Sequence, residues 1–301
     1  MILYLKTADG DYDSITAMNA GLATLTGGAG LTENVEVRVQ NGQSFGDYSE
    51  KIGFDITGKK LNGFSITITS DIVTPATLGI LKVHSVDGAG ALPGTPEVDT
   101  GVFQVTKLII KMSGLGGNAS LYGVSSFIGT GREYNIVNCL IFTAFTGDSA
   151  GFYLTTDQSA VGFIRVINNS IYHSFIHSET PGDYAIPIIF QANAGGAADS
   201  IVANNLVCAY NISAVTVDTG KNFNNNIYSY NGTNTWGVTG TAVNLTKLDP
   251  ATTQAVIVTY SETVDTMAGK TATPTASSTA LIDLGDPTYA PTTDIIGNPR
   301  T

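Results

Sequence analysis

The sequence predicts an all-β protein, a single-stranded right-handed parallel β-helix with a short N-terminal capping helix. Three observations predict it. Short β-prone runs cut by Gly, Asn and Asp fill the chain after residue 30. A degenerate repeat built on paired Asn recurs through the middle of the chain. Helix signals are confined to one segment near the start.

The repeat carries the argument. Asn138-Cys139-Leu140-Ile141-Phe142, Asn168-Asn169-Ser170-Ile171-Tyr172, Asn204-Asn205-Leu206-Val207-Cys208 and Asn224-Asn225-Asn226-Ile227-Tyr228 align without gaps, their starts 30, 36 and 20 residues apart. Each follows another β-prone run, such as Phe163–Ile167 or Ile201–Ala203. Leu154 and Phe190 both sit 14 residues before their Asn. One turn of a coil of parallel strands cannot bury its own apolar face, so stacked turns share a core. Asn tolerates the left-handed backbone that a sharp bend between faces requires. Stacked Asn side chains can also hydrogen-bond along a ladder. Insertions at 178–185 and 192–200 are expected to bulge outward without disturbing the stack. An antiparallel sandwich would instead need two-residue Asn-Gly turns. Asn41-Gly42 and Asn231-Gly232 qualify, but most Asn pairs lack the following Gly.

The single helix is expected at Asp13–Leu22. Asp13 or Ser14 can cap it, Ile15, Met18 and Leu22 recur at helical spacing, and Gly27-Gly28 stops it. Strands are expected at 35–39, 65–69, 107–111, 186–190 and 256–259. The organisation expected is one domain over 1–301, with a leading strand and cap in 1–30, coils in 31–245 and a C-terminal cap and tail in 246–301.

Charged residues make up 13% of the 301 residues, and the net charge is −11. The usual charged share is about 25%. An acidic, charge-poor surface disfavours nucleic acid and anionic membranes as partners. Cys139 and Cys208 both lie in apolar runs and read as small buried hydrophobes. Met1–Gly10 has no basic start and no long apolar core, so it does not read as a signal peptide. No run of about 18 apolar residues is present, and no membrane insertion is expected.

The Asn-Asn-x-Ile repeats resemble the turns of the pectate-lyase-like β-helix superfamily. The segment Asp9–Met18 is similar to that family's N-terminal cap. The tail Ala280–Gly285, with Thr293-Asp294-Ile295-Ile296-Gly297-Asn298-Pro299-Arg300, resembles its C-terminal ending, with Ile296 where Asp is more usual. The resemblance implies the fold and leaves the function open. Its members include polysaccharide lyases, glycoside hydrolases, adhesins, phage tailspikes and capsid decoration proteins.

Chemistry on such a scaffold needs carboxylates converging on one groove. Asp157, Asn193 and Asp218 are expected to form a row, with Glu179 and Asp183 in the adjoining insertion. These four acids are the catalytic candidates of an enzyme reading, and otherwise solvated loop residues. His173 is expected beside Thr143, Ala209 and Ser229. Arg165 alternates with Ile164 and Val166 and reads as outward-facing. Phe142, Tyr172 and Tyr228 share one repeat position and are expected to stack inside the coil. Tyr230 and Trp236 lie in polar surroundings and are the glycan-stacking candidates. No calcium loop, zinc spacing or phosphate loop is found, so no metal or cofactor is expected. The function expected is a non-enzymatic bacteriophage virion protein, a capsid decoration or spike protein on the particle surface. Its expected partners are two further copies in a homotrimer and other virion proteins such as the major capsid protein. A polysaccharide-degrading tailspike or secreted enzyme is the alternative, and an extracellular cell-surface adhesin binding a glycan is the third reading.

Overall fold

The structure is a computed structural model. It describes residues 1–52, 60–71, 78–86, 100–114, 132–145, 152–156, 163–175, 186–192, 201–209, 212–217, 222–224, 226–230, 237–240, 245–248 and 263–268, some of the later strands by backbone alone. The chain is an all-β parallel β-helix. Its strands form two eight-stranded sheets, a four-stranded sheet and a two-stranded one. Pairing is parallel throughout the described strands, from Ile2↔Glu36 to Asn226↔Leu245. Parallel neighbours in one sheet cannot be joined by a hairpin, which removes the sandwich alternative.

The first sheet stacks Ile2–Leu5, Val35–Val39, Ser65–Ser70, Gly101–Thr106, Arg132–Val137, Phe163–Ile167, Ile201–Ala203 and Asn222–Asn224 in sequence order. The second begins at Ser44–Phe45, continues through Ile80–Val83, Ile109–Gly114, Leu140–Phe145, Ser170–Phe175, Leu206–Ala209 and Asn226–Tyr230, and ends at Leu245–Leu248. Alternation along each strand sends every second residue inward. Val35, Val37, Val39, Ile66, Ile68, Val105, Ile136 and Val166 from the first sheet meet Ile110, Met112, Ile141 and Ile171 from the second in one continuous core. Each such side chain contributes about 1.5–3 kcal/mol by leaving water.

The bend between these two sheets is where the Asn pairs act. The first Asn of each pair takes the left-handed conformation, at φ 57° for Asn138, 60° for Asn168 and 57° for Asn204. The second points inward and is buried, as at Asn169 and Asn205. The Asn205 side-chain oxygen accepts from the Asn169 backbone N–H at 3.0 Å and from the Asn169 amide at 3.0 Å. Asn169 in turn accepts from the Cys139 N–H at 2.9 Å and donates to the Ile136 carbonyl at 3.0 Å. Asn205 donates to the Val166 carbonyl at 2.8 Å. Asn168 donates to Asn138 along the outer edge of the same corner. The ladder expected from the repeat is therefore two parallel tracks, one bending the chain and one filling the corner. Cys139 continues the inner track as a buried small hydrophobe, as expected; the Cys208 side chain lies outside the described residues.

Two registers differ from the sequence reading. Leu140↔Ser170 and Ser170↔Leu206 keep the spacings of 30 and 36. The next pairing is Leu206↔Ile227, a spacing of 21 rather than 20. The triple Asn at 224–226 permits either alignment, and Ala203↔Asn224 in the first sheet selects the longer one. Tyr228 thus pairs with Val207 instead of Cys208, and Ser229 with Cys208 instead of Ala209. His173 does pair with Thr143 and Ala209. The strand expected at 107–111 starts later, at Ile109, because Lys107 takes the corner at φ 56°. The strand expected at 256–259 and the insertion at 178–185 lie outside the described residues, as do residues 193–200 of the other insertion.

At the N-terminal end, helix α1 (Ile15–Leu25) covers the open core with Ile15, Met18 and Leu22, and Ser14 accepts from the Ala17 N–H as its cap. Gly28 follows at φ 58°, a conformation that glycine takes freely. The outer side of strand Ile2–Leu5 does not face open solvent. Tyr12 donates its N–H to the Tyr4 carbonyl and accepts from the Lys6 N–H, both at 3.0 Å, and the Asp11 carboxylate takes the Tyr4 N–H at 2.8 Å. A second helix, α2 (Val264–Ala268), was not expected and is described below.

Two stability tests follow from the corner. Asn169→Ala leaves the Cys139 N–H and the Ile136 carbonyl without their side-chain partner and is expected to destabilise by about 2–4 kcal/mol in denaturant titration. Lys107→Gly relieves a left-handed conformation that costs most residues about 1 kcal/mol, and is expected to raise the melting temperature.

Candidate functional site

The carboxylate candidates Asp157, Glu179, Asp183 and Asp218 lie outside the described residues, as do Trp236 and the side chain of Tyr230. The strands flanking two of them are described, and their register bears on the expected row. Thr156 pairs with Ala192, so Asp157 and Asn193 each follow one member of a pair. Val217 pairs with Phe190, so Asp218 follows a residue set two positions earlier along the same sheet. The register shift between Ile186 and Pro187 accounts for one of those two positions. Asp157, Asn193 and Asp218 themselves lie outside the described residues.

Two outer faces carry the chemistry that the described residues hold. On the first sheet, register aligns Ile2, Glu36, Thr67, Gln104, Asn135, Arg165 and Ile201 in one row, which the pairing of Ile201 with Asn222 continues onto the eighth strand. These alternate with the buried core positions and so face away from the coil, which places Arg165 as expected. Arg38 Nε donates to Glu36 Oε1 at 2.6 Å, and the hydrogen bond with Glu36 raises the Arg38 pKa. Arg165 Nη1 meets Glu133 Oε1 at 3.0 Å, and the Asn135 amide donates to the same oxygen at 2.8 Å. Asn135 is only 7% exposed, and neither its Oδ1 nor Arg165 Nε has a hydrogen-bond partner among the described residues. The sequence signal for this face was present in the alternation Val35-Glu36-Val37-Arg38-Val39; its continuation to Thr67, Gln104 and Asn135 required registers that precede the Asn repeats and that their spacing does not supply.

On the second sheet, the row Lys82, Lys111, Phe142 and Tyr172 faces outward. Phe142 and Tyr172 stack with centroids 5.0 Å apart, as expected, but not inside the coil. They form a separate cluster with Ala144, Val264 and Met267, because α2 lies over them. Ile141 and Ile171, one position away, point into the core instead. Inside the coil, Phe103 stacks on Tyr134 with ring centroids 5.6 Å apart. Lys111 Nζ pairs with Asp265 on α2. Its hydrogen bond holds the Asp265 carboxyl below the usual carboxylate range, with the charges of Lys111 and Lys82 adding to it. Tyr48, beside Lys82, is pushed up to about 12 by burial and by Asp265. It therefore stays protonated at neutral pH.

No three His, Cys, Asp or Glu side chains gather as a metal site among the described residues. Burial pushes the Cys139 thiol up to about 12, which leaves it protonated and a poor nucleophile at neutral pH. The described faces can thus bind through ion pairs, amides and aromatic surface. Comparison with family models, with curated proteins and with solved structures found no match to this chain.

The strap formed by α2 gives two tests. Asp265 has a lowered folded pKa, so its contribution is present above the unfolded value of about 4 and is lost as pH falls through the lower folded value. Amide exchange of Val264–Ala268 is expected to speed up over that window, and Asp265→Asn to remove the pH dependence. Met267→Asp places a charge against Phe142 and Tyr172 and is expected to lift the strap, read as increased binding of an apolar dye with the far-UV spectrum preserved.

Proposed function

We propose that this chain is a non-enzymatic structural protein of the pectate-lyase-like β-helix kind, a decoration or spike protein displayed on the surface of a bacteriophage particle. The observation that carries the reading is the closure of the N-terminal end of the stack by its own chain. A parallel sheet exposes a templating edge and an open core at its end, both liabilities for a protein standing in solvent. Here Asp11 and Tyr12 occupy the groups of strand Ile2–Leu5, α1 covers the core, and α2 covers the aromatic strip. A stack whose N-terminal end is closed in this way supports an exposed, load-bearing role. The low charge content and the acidic balance support it further, since neither favours nucleic acid.

The test is to isolate particles from the source and quantify the chain on them by mass spectrometry and surface labelling. The chain is expected in fixed stoichiometry to the major capsid protein and accessible to antibody on intact particles. A panel of host-surface polysaccharides is expected to keep its chain length in the presence of the purified protein. Shortening that disappears in Asp157→Ala or Asp218→Ala would overturn the proposal and establish a depolymerase.

A further inference from the structure

The two helical closures meet at one loop, residues 46–50, which follows strand Ser44–Phe45 of the second sheet. On one side the loop holds α1. The Glu50 carboxylate accepts from the Thr16 N–H at 2.9 Å and from the Thr16 hydroxyl, so it takes a donor at the helix N-terminus that the Ser14 cap does not reach. The Lys51 carbonyl, next along the chain, accepts from the Asn19 amide at 2.7 Å. Gly46 lies against α1 too: a Cβ there would stand 2.8 Å from Ile15 Cδ1 and 2.2 Å from the Lys82 carbonyl oxygen. On the other side the loop reaches α2. Tyr48 packs against the cluster that Val264 and Met267 form with Phe142, Ala144 and Tyr172. Burial, and then the Asp265 carboxylate, pushes its hydroxyl pKa up.

The backbone between these contacts is strained. Tyr48 stands in the left-handed region, at φ 72°. The other non-glycine residues there, among the described ones, are Asp9, Lys107 and four Asn. Asn and Asp tolerate that region, whereas an aromatic residue keeps it only where its surroundings hold it. Two holds act on Tyr48. Its N–H donates to the Lys82 carbonyl at a long 3.3 Å, and its ring packs against the α2 cluster. We propose that residues 46–50 couple the two closures, so that α1 and α2 seat and release together, with Tyr48 as the positioning residue between them.

When α2 lifts, the ring loses its packing and Tyr48 gains by leaving the left-handed region. Glu50 is two residues further on, and the Ser49 N–H bonded to Asp47 Oδ1 at 3.0 Å spans Tyr48. A changed Tyr48 backbone therefore carries the Glu50 carboxylate away from Thr16. The reverse follows by linkage: freeing Glu50 from Thr16 relaxes the loop and weakens the seat of α2. The N-terminal cap is thus completed by the last described segment of the chain. The coupling rests on these contacts alone and is independent of the virion reading.

Hydrogen–deuterium exchange of the full chain tests it, read by mass spectrometry on α1, on α2 and on strand Gly101–Thr106 as the reference. Met267→Asp unseats α2 and is expected to speed exchange of Ile15–Leu25 about five- to thirtyfold, the factor that the cost of a left-handed side chain represents, with Gly101–Thr106 unchanged. Glu50→Ala removes both bonds to Thr16 and is expected to speed Val264–Ala268 by a similar factor. Glycine takes the left-handed conformation freely, so Tyr48→Gly keeps the course of the loop without help from α2. In that background Met267→Asp is expected to leave Ile15–Leu25 as it was. Asp265→Lys, which sets a third cation beside Lys111 and Lys82, releases α2 in its place should Met267→Asp fold poorly by far-UV dichroism. The proposal is overturned if α1 keeps its exchange rate while α2 is freed, if α1 responds as strongly in the Tyr48→Gly background, or if Gly101–Thr106 loosens in step with α1.

Discussion

The whole molecule depends on keeping like residues above like from one coil to the next. Parallel strands bury their apolar residues only against equivalent strands, so a slip of one residue sends every side chain to the wrong face. The corner between the two long sheets is where that register is enforced. Its left-handed Asn turns the chain at a fixed point, and the inward Asn is tied to the next coil through its backbone N–H and its amide. An Asn displaced by one position would leave buried donors and acceptors unpaired, at a cost of about 1–3 kcal/mol each. The core is generic in comparison: Val, Ile and Leu fill it without distinguishing one coil from another.

What the sequence made legible follows from that division. The parallel β-helix, helix α1 and the Asn tracks were all readable, because each depends on a short local pattern: paired Asn before an aliphatic residue, or apolar residues at helical spacing after a capping Ser. Register was legible only where a pair was unambiguous. Three consecutive Asn at 224–226 hid a one-residue choice, and the register shift between Ile186 and Pro187 moved Val217 opposite Phe190. Neither bulge nor register leaves a mark on composition or periodicity.

The side of the sheet on which an aromatic lies was less legible still. Phe142 and Tyr172 looked like core residues because they recur at one repeat position and are apolar. They are buried, but under α2, a five-residue helix far along the chain from both of them. No local pattern joins those segments. The polar row on the first sheet has the same character, since each of its residues is unremarkable on its own strand and the row exists only across the strands of the sheet. The Asp and Glu candidates lie beyond the described residues, and their chemistry rests on the sequence argument alone.

The docking of α2 has a mechanical consequence. The chain leaves the second sheet at Leu245–Leu248, yet α2 rests on Ile109–Gly114 and Leu140–Phe145, several strands back toward the N-terminus. At about 4.8 Å per strand, that return covers some 20 Å of the stack. A pull applied to α2 therefore does not first reach Leu245–Leu248 at the end of the described sheet. It enters at mid-stack through Val264, Met267 and the Asp265–Lys111 pair, so the load is shared by coils on both sides of the anchor before any strand at the end is strained.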